Sequence, residues 1–280
     1  MTSITAVPSG RPGGADPSGR RRPARTVLAA ARGAAGFAAL AGIYEILRAT
    51  GVLPAADTAG VGSVLAAVAD GVGDGSLTRA TLETLHAWSL GLAVAAVIAV
   101  PLGILVGKSW TAFTLTEVVV EFLRPVPSVA LVPVAVVLFG LDLTMQVFLV
   151  AFACVWPVLI QTRYSVRALD PVMLDSARTF RLSPGALLVR VVVPAATPAI
   201  LTGLRTAASL GVVVAVAAEI VAGTPGLGRY LVDAQQGGHT AAAFAAVLVS
   251  GVLGLIVNAV FAAAELRLAG WQQHSTEERR

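Results

Sequence analysis

Few residues in this 280-residue sequence are of types that make or break bonds. His86, His239 and His274 lie far apart, and no serine near them forms a nucleophile–base pattern above chance. Cys154 is the single cysteine, inside an apolar run; it excludes an intrachain disulfide and reads as a small buried hydrophobe. No Cys/His cluster suggests a metal, and no G-x-x-x-x-G-K-[ST] stretch offers a phosphate cradle. No metal, no cofactor and no ATP site is therefore expected on this chain. The remaining chemistry is that of charge. Arg163, Arg167, Asp170, Asp175, Arg178, Arg181 and Arg190 crowd one polar island, residues 163–193, between two apolar runs. Such residues bind and position; they do not catalyse.

The island carries its own folding signals. Asp170-Pro171 starts a helix, because Asp caps free N–H groups and Pro fits the first helical position. Ser183-Pro184 repeats the signal. Two short helices, about 171–180 and 184–193, are expected, with Pro194 opening the next apolar run. On the first helix Leu169, Met173, Ala177 and Phe180 fall on one face at helical spacing, and the rest is charged. That is the pattern of a helix that docks into something.

The surrounding composition places the island beneath a membrane. The chain is 56% hydrophobic and 13% charged, with a mean hydropathy of +0.80. A soluble domain carries roughly a quarter charged residues. Half that, with apolar runs near twenty residues, means an integral membrane protein. Residues 1–26 form a tail rich in Gly, Pro, Ser and Arg, expected to be disordered. The membrane domain is expected over 27–270, with a charged tail at 271–280. Six spans are expected, at about 32–52, 85–106, 128–141, 144–160, 195–221 and 241–264. Residues 53–84 are read as an outside loop, and Arg229 to Gln236 as a segment re-entering the outer surface. Arg and Lys are concentrated in the island and the two tails, which puts those segments and both termini in the cytoplasm.

Within this frame three stretches resemble a known family. Asp175-Ser176-Ala177, a turn at Arg181 and Val193-Pro194 are similar to the "EAA…G…LP" loop of ABC-importer permeases. Two positions depart from it: Asp175 stands for the usual glutamate, and Arg181 for the usual glycine. Glycine suits that turn because the chain must reverse after a helix end, often with positive φ. Next, residues 123–142 resemble the "LR-x-VP…P…WFG" segment of the nitrate/sulfonate/taurine branch. Its Pro125, Pro127 and Pro133 cannot share one regular helix, and irregular backbone at membrane depth needs protein or a cavity around it. Finally, Glu219 with Gly226-Leu227-Gly228 resembles the family's "AE…GLG" stretch.

The resemblance spans residues 82–267 and implies an all-α type I importer permease fold of about six transmembrane helices with a cytoplasmic coupling-helix loop. It implies a permease subunit of an ATP-driven importer in the bacterial inner membrane, without catalysis of its own. Implied partners are cytoplasmic ABC ATPase subunits, an external solute-binding protein and a second permease chain, in a homodimer surrounded by lipid. No nucleic acid is implied. Coupling to the ATPase would fall to Asp170, Met173, Asp175, Ser176, Ala177, Arg178, Phe180, Arg181 and Pro194. The pathway candidates are Pro125, Pro127, Pro133, Phe139 and Glu219. The solute would be small and anionic: sulfonate, taurine, nitrate, bicarbonate and pyrimidine precursors all fit the branch. A secondary transporter or channel is the alternative; it would ordinarily need more intramembrane ions or paired repeats than Arg205 and Glu219 supply.

Overall fold

The computed structural model describes residues 22–52, 54 and 58–269. Of the tail expected over 1–26, residues 1–21 lie outside them, as do Asp57, His274 and the segment 270–280, while residues 22–26 begin a helix. Contacts divide the chain into two units, Met1–Val61 and Gly62–Arg280.

The first unit holds α1, Arg22–Ala49. Its far end is tied by polar contacts, as the spacing of Glu45 and Arg48 suggests. These two pair at 3.7 Å, the Val61 N–H donates to Glu45 Oε1 at 2.6 Å, and the Tyr44 hydroxyl donates to the Ala59 carbonyl at 2.8 Å.

The second unit begins with α2, Val61–Gly73, followed by α3, Ser76–Lys108. The latter starts nine residues before the expected span, inside what reads as a polar loop. Gly75 turns the chain at φ 80°, the Ser76 N–H is bound by Asp74 Oδ1 at 2.8 Å, and Leu77, Ala80, Thr84 and Ala87 then bury one face. Arg79 and Glu83 pair at 3.1 Å on the exposed side, so charge on one face concealed the apolar period of the other.

α4, Trp110–Leu123, is capped by Ser109. A 79° bend separates it from the segment Ser128–Phe139, a 3₁₀ turn followed by α5, Val132–Phe139. Pro125 and Pro127 occupy the bend. The sequence suggests that Pro133 breaks this span, and it does not. It lies in the first turn of α5, where the missing N–H has no intrahelical partner to lose.

α6, Leu143–Arg167, is capped by Asp142. Pro157 is inside it, and it absorbs Arg163 and Arg167, the first residues of the polar island. α7 is Pro171–Thr179. The second expected short helix is not separate. α8, Pro184–Leu187, passes through a π turn at Leu188–Val192 into α9, Val193–Ala222, one continuous rod from Pro184 to Ala222. Widening the turn gives Pro194 room, because a proline ring would otherwise press on the carbonyl four residues back. α10, Leu227–Gln236, and α11, Thr240–Ala269, complete the unit.

By length and composition four helices among the described residues can cross a membrane, and a fifth if the bent pair counts as one. The first of the six expected spans falls on α1, which is not among them. α3, α6 and α9 enclose the core, which includes Leu92, Met145, Leu149, Val150, Ala208 and Val212. Gly91, Gly103 and Gly107 let α3 lie against α6: a Cβ on Gly91 would stand 2.6 Å from Val150, and one on Gly103 2.7 Å from Thr162. Trp88 Nε1 and Cys154 Sγ donate to the adjacent α9 carbonyls of Ala208 and Ala207, at 2.9 and 3.2 Å. A smaller cluster, Ile104, Val166, Val192, Ala196 and Ile200, closes the end of the bundle that carries α7.

Candidate functional site

α7 is built from its ends. At the start, Asp170 Oδ1 accepts from the Val172 N–H at 2.8 Å. At the finish, the Arg181 N–H donates to the Arg178 carbonyl at 2.8 Å and the Leu182 N–H to the Ala177 carbonyl at 3.4 Å. This pair of bonds is a Schellman closure, which needs the residue beyond the cap in left-handed conformation. Arg181 adopts it, with φ 54°, the one non-glycine residue among those described to do so. The substitution at the usual glycine position thus leaves the turn geometry intact, at a conformational cost of roughly 1 kcal/mol.

The faces of α7 differ from the sequence pattern. Ala177 is buried within its own chain, and Leu169 and Leu174 pack on the small cluster. Met173 is half-buried, Ser176 is exposed, and Asp175 pairs with Arg178 at 2.9 Å on the surface. Phe180 is 83% exposed and Val172 70% exposed. Phe180 therefore does not share a face with Ala177: it lies past the end of the helix, where the turn redirects the chain. Leu169 and Leu174 seat α7 on the bundle, and the exposed apolar side chains are Val172 and Phe180.

Glu219, at the opposite end of α9, is fully buried. Its Oε2 accepts from the Gly228 N–H at 2.8 Å and from the Thr84 hydroxyl at 3.0 Å; Thr84 Oγ1 in turn accepts the Leu227 N–H at 2.9 Å. The carboxylate thus pins the first turn of α10 to both α9 and α3. Gly226, at φ 148°, and Gly228 are required by this approach. A Cβ on the first would overlap the Glu219 carboxyl, and one on the second the Val216 carbonyl. Glu219 reads as an interfacial or pathway acid in the sequence; its geometry is that of a clamp for the 223–228 turn.

Residues 99–270 match the family described as the binding-protein-dependent transport system inner membrane component. The chain belongs to this family. Among its relatives, the bicarbonate transport system permease protein CmpB of Synechococcus elongatus is 35% identical over 186 residues, covering 66% of this chain and 67% of that one. The nitrate import permease protein NrtB of Leptolyngbya laminosa is 30% identical over 177 residues, 63% of each. An ABC transporter permease protein of Brucella abortus is 30% identical over 241 residues, 85% of this chain and 94% of that one. The fold also matches the inward-facing MetNI methionine ABC transporter, with a TM-score of 0.61 at 15% identity over 69% of this chain and 95% of that one. The type I importer permease fold is thereby established.

In this permease the remaining pathway candidates are spread out. Pro125, Pro127 and Pro133 are exposed along the bent segment. Phe139 is 39% exposed and stacks on Phe148 at 5.2 Å, the first step of a ring ladder through Phe152 to Trp156. The structure does not bring them to one cavity with Glu219. Arg205, a charge within an apolar run, finds its partners on α11. Arg205 Nε donates to Asn258 Oδ1 at 2.9 Å, and its Nη1 lies 3.3 Å from Glu265 Oε2. The Thr202 hydroxyl holds the other Glu265 oxygen at 2.6 Å. Asn258 and Glu265 are seven apart on α11, two helical turns, and that spacing is the signal that could have revealed the pairing.

Proposed function

We propose that this chain is the permease subunit of an ATP-driven importer, and that its bundle forms the translocation pathway for a small anionic solute delivered by an external binding protein. The observation that carries the coupling half of this reading is α7: a short, doubly capped helix between two spans, seated inward by Leu174 and exposing Val172 and Phe180. An ATPase groove would receive that outward surface, with Asp175, Ser176 and Arg178 at its rim. Asp170 and Arg181 would fix the helix ends, Met173 its seat, and Pro194 the junction with α9. Because Leu174 of α7, and Leu169 just before it, pack on the cluster at the foot of α3, α6 and α9, a displacement of α7 reaches the spanning helices as a rigid push. The permease itself performs no bond chemistry in this scheme; hydrolysis occurs on the partner chains.

Two permease chains of the same kind would complete the pathway. The anionic solute is supported by the relatives named for bicarbonate and nitrate. A cytoplasmic position for α7 is supported by charge: Lys108, Arg163, Arg167, Arg178, Arg181 and Arg190 cluster at its end of the bundle, against Arg79 and Arg229 at the other. Both termini would then be cytoplasmic, in the inner membrane of a bacterial cell. The test is co-purification of the tagged permease with its ATPase. Val172→Asp with Phe180→Asp should reduce recovery of the ATPase at least tenfold, as expected for loss of apolar anchors. Undiminished recovery would remove α7 from the interface.

A further inference from the structure

Arg205 stands half-open near the middle of α9. Its Nε donates to Asn258 Oδ1 at 2.9 Å and its Nη1 lies 3.3 Å from Glu265 Oε2, both on α11. Nη2 has no hydrogen-bond partner among the described residues, and it is not sealed in. The Arg205 side chain keeps 40% of its surface open and that of Glu265 keeps 24%. An arginine turned toward hydrocarbon at this depth is costly, so its open edge must meet water or protein.

The neighbours on α9 point to water. Thr202, Arg205, Thr206 and Ser209 recur on one face at helical spacing. Thr206 is exposed and the other three are half-buried. The opposite face, with Ala207 and Gly211, packs on α6 and α3. The hydroxyls turn their hydrogens back on the helix: Thr206 donates to the Thr202 carbonyl at 2.9 Å, and Ser209 to the Arg205 carbonyl at 3.3 Å. Their oxygens are left to accept from water, and the guanidinium is the group on this face with a donor to offer an anion. Beyond the patch, Leu210 and Val213 return the exposed surface of α9 to apolar residues. The polar stretch is therefore a local site and not a wholly wet face.

We propose that this patch lines the translocation pathway and that the open edge of Arg205 meets the anionic group of the solute, with Asn258 and Glu265 fixing its orientation. The inference rests on the reading of this chain as the permease of an anion importer. Glu265 has a second effect. A site within a pathway must be favourable enough to enter and weak enough to leave. The carboxylate beside Nη1 offsets part of the arginine's charge and so keeps the anion from being held too tightly.

The test needs no knowledge of the solute. Thr206→Cys is made in the full transporter, permease with its ATPase, held in lipid nanodiscs that expose both faces. Cys154, fully buried, leaves a silent background on the permease. Two water-soluble methanethiosulfonates are compared, one carrying a sulfonate and one a trimethylammonium, and modified permease is counted by intact mass. Relative to their rates on a free thiol in solution, the sulfonate reagent should be favoured at position 206. Removing both charges, Arg205→Gln with Glu265→Gln, avoids leaving the carboxylate unpaired and should cut that preference about tenfold. Glu265→Gln alone should raise it. No modification by either reagent, in a transporter that keeps its ATPase, would place lipid or the second chain on this face and overturn the inference. A preference indifferent to Arg205 would do the same. Failure of the importer reading shows separately, in the co-purification of the ATPase, which involves none of these residues.

Discussion

Arg181 holds a conformation that glycine adopts without steric cost. Its replacement by glycine keeps both closing hydrogen bonds and removes the clash between Cβ and the following carbonyl. Arg181→Gly should therefore stabilise the folded turn by about 1 kcal/mol, less whatever the more flexible unfolded chain gives back. Slower amide exchange at positions 181 and 182 than in the wild type would register the gain. Arg181→Val should act in the opposite sense, because a branched Cβ tolerates positive φ least. At the other end of the same rod the constraint is a side chain, not a dihedral. Thr84→Val takes a donor from Glu219 and an acceptor from the Leu227 N–H together, leaving two buried groups unmatched at about 1–3 kcal/mol each. Gly226→Ala should cost at least about 2 kcal/mol, since the added methyl overlaps the carboxyl and nothing larger than hydrogen fits. Thermal unfolding of the detergent-solubilised chain would rank them. Equal midpoints for wild type and Thr84→Val would mean Glu219 is no clamp.

Elements obeyed rules that the sequence states unevenly. The caps were legible: Asp170 and Ser183 follow from residue type and spacing, while the αL turn at Arg181 follows only from the resemblance to a loop that carries glycine there. The start of α3 was not, because Arg79 and Glu83 satisfy each other on the surface while Leu77, Ala80 and Thr84 carry the buried period beneath. Nor was the fusion of α8 with α9, since Ser183-Pro184 and Pro194 are both start signals and only the π turn between them lets one helix contain both. The face of α7 was half legible: Ala177 is on the buried side as its smallness suggests, but Phe180 lies past the helix end, where 3.6-residue spacing no longer applies. Helix contact was the least visible, because glycine reads as a breaker until the neighbour is known. Gly91→Ala should destabilise the α3–α6 contact by about 1–3 kcal/mol, its Cβ standing 2.6 Å from Val150. Adding Val150→Ala should recover part of that loss. A double variant no better than the sum of its singles would show that the two helices do not meet at this pair.

For the whole molecule the decisive quantity is which side of the membrane each end of the bundle faces. The Lys and Arg residues near α7, against Arg79 and Arg229 near the other end, are the asymmetry on which the proposed cytoplasmic position of α7 rests. Asp74, at the Arg79 end, is held below the usual carboxylate range, chiefly by hydrogen bonding from Ser76. The chain supplies its own quiet background for a labelling experiment: its single cysteine, Cys154, is fully buried between α6 and α9 with its Sγ on the Ala207 carbonyl. Ser176→Cys on exposed α7 should react with a membrane-impermeant maleimide in inside-out vesicles and stay unmodified in intact cells. Asp233→Cys, on the exposed side of α10, should show the reverse. The pair is informative because both positions belong to one compact unit, so a single orientation must satisfy both. If Ser176→Cys labels from outside intact cells, the arginine-rich end faces away from any cytoplasmic ATPase and the coupling role of α7 falls with it.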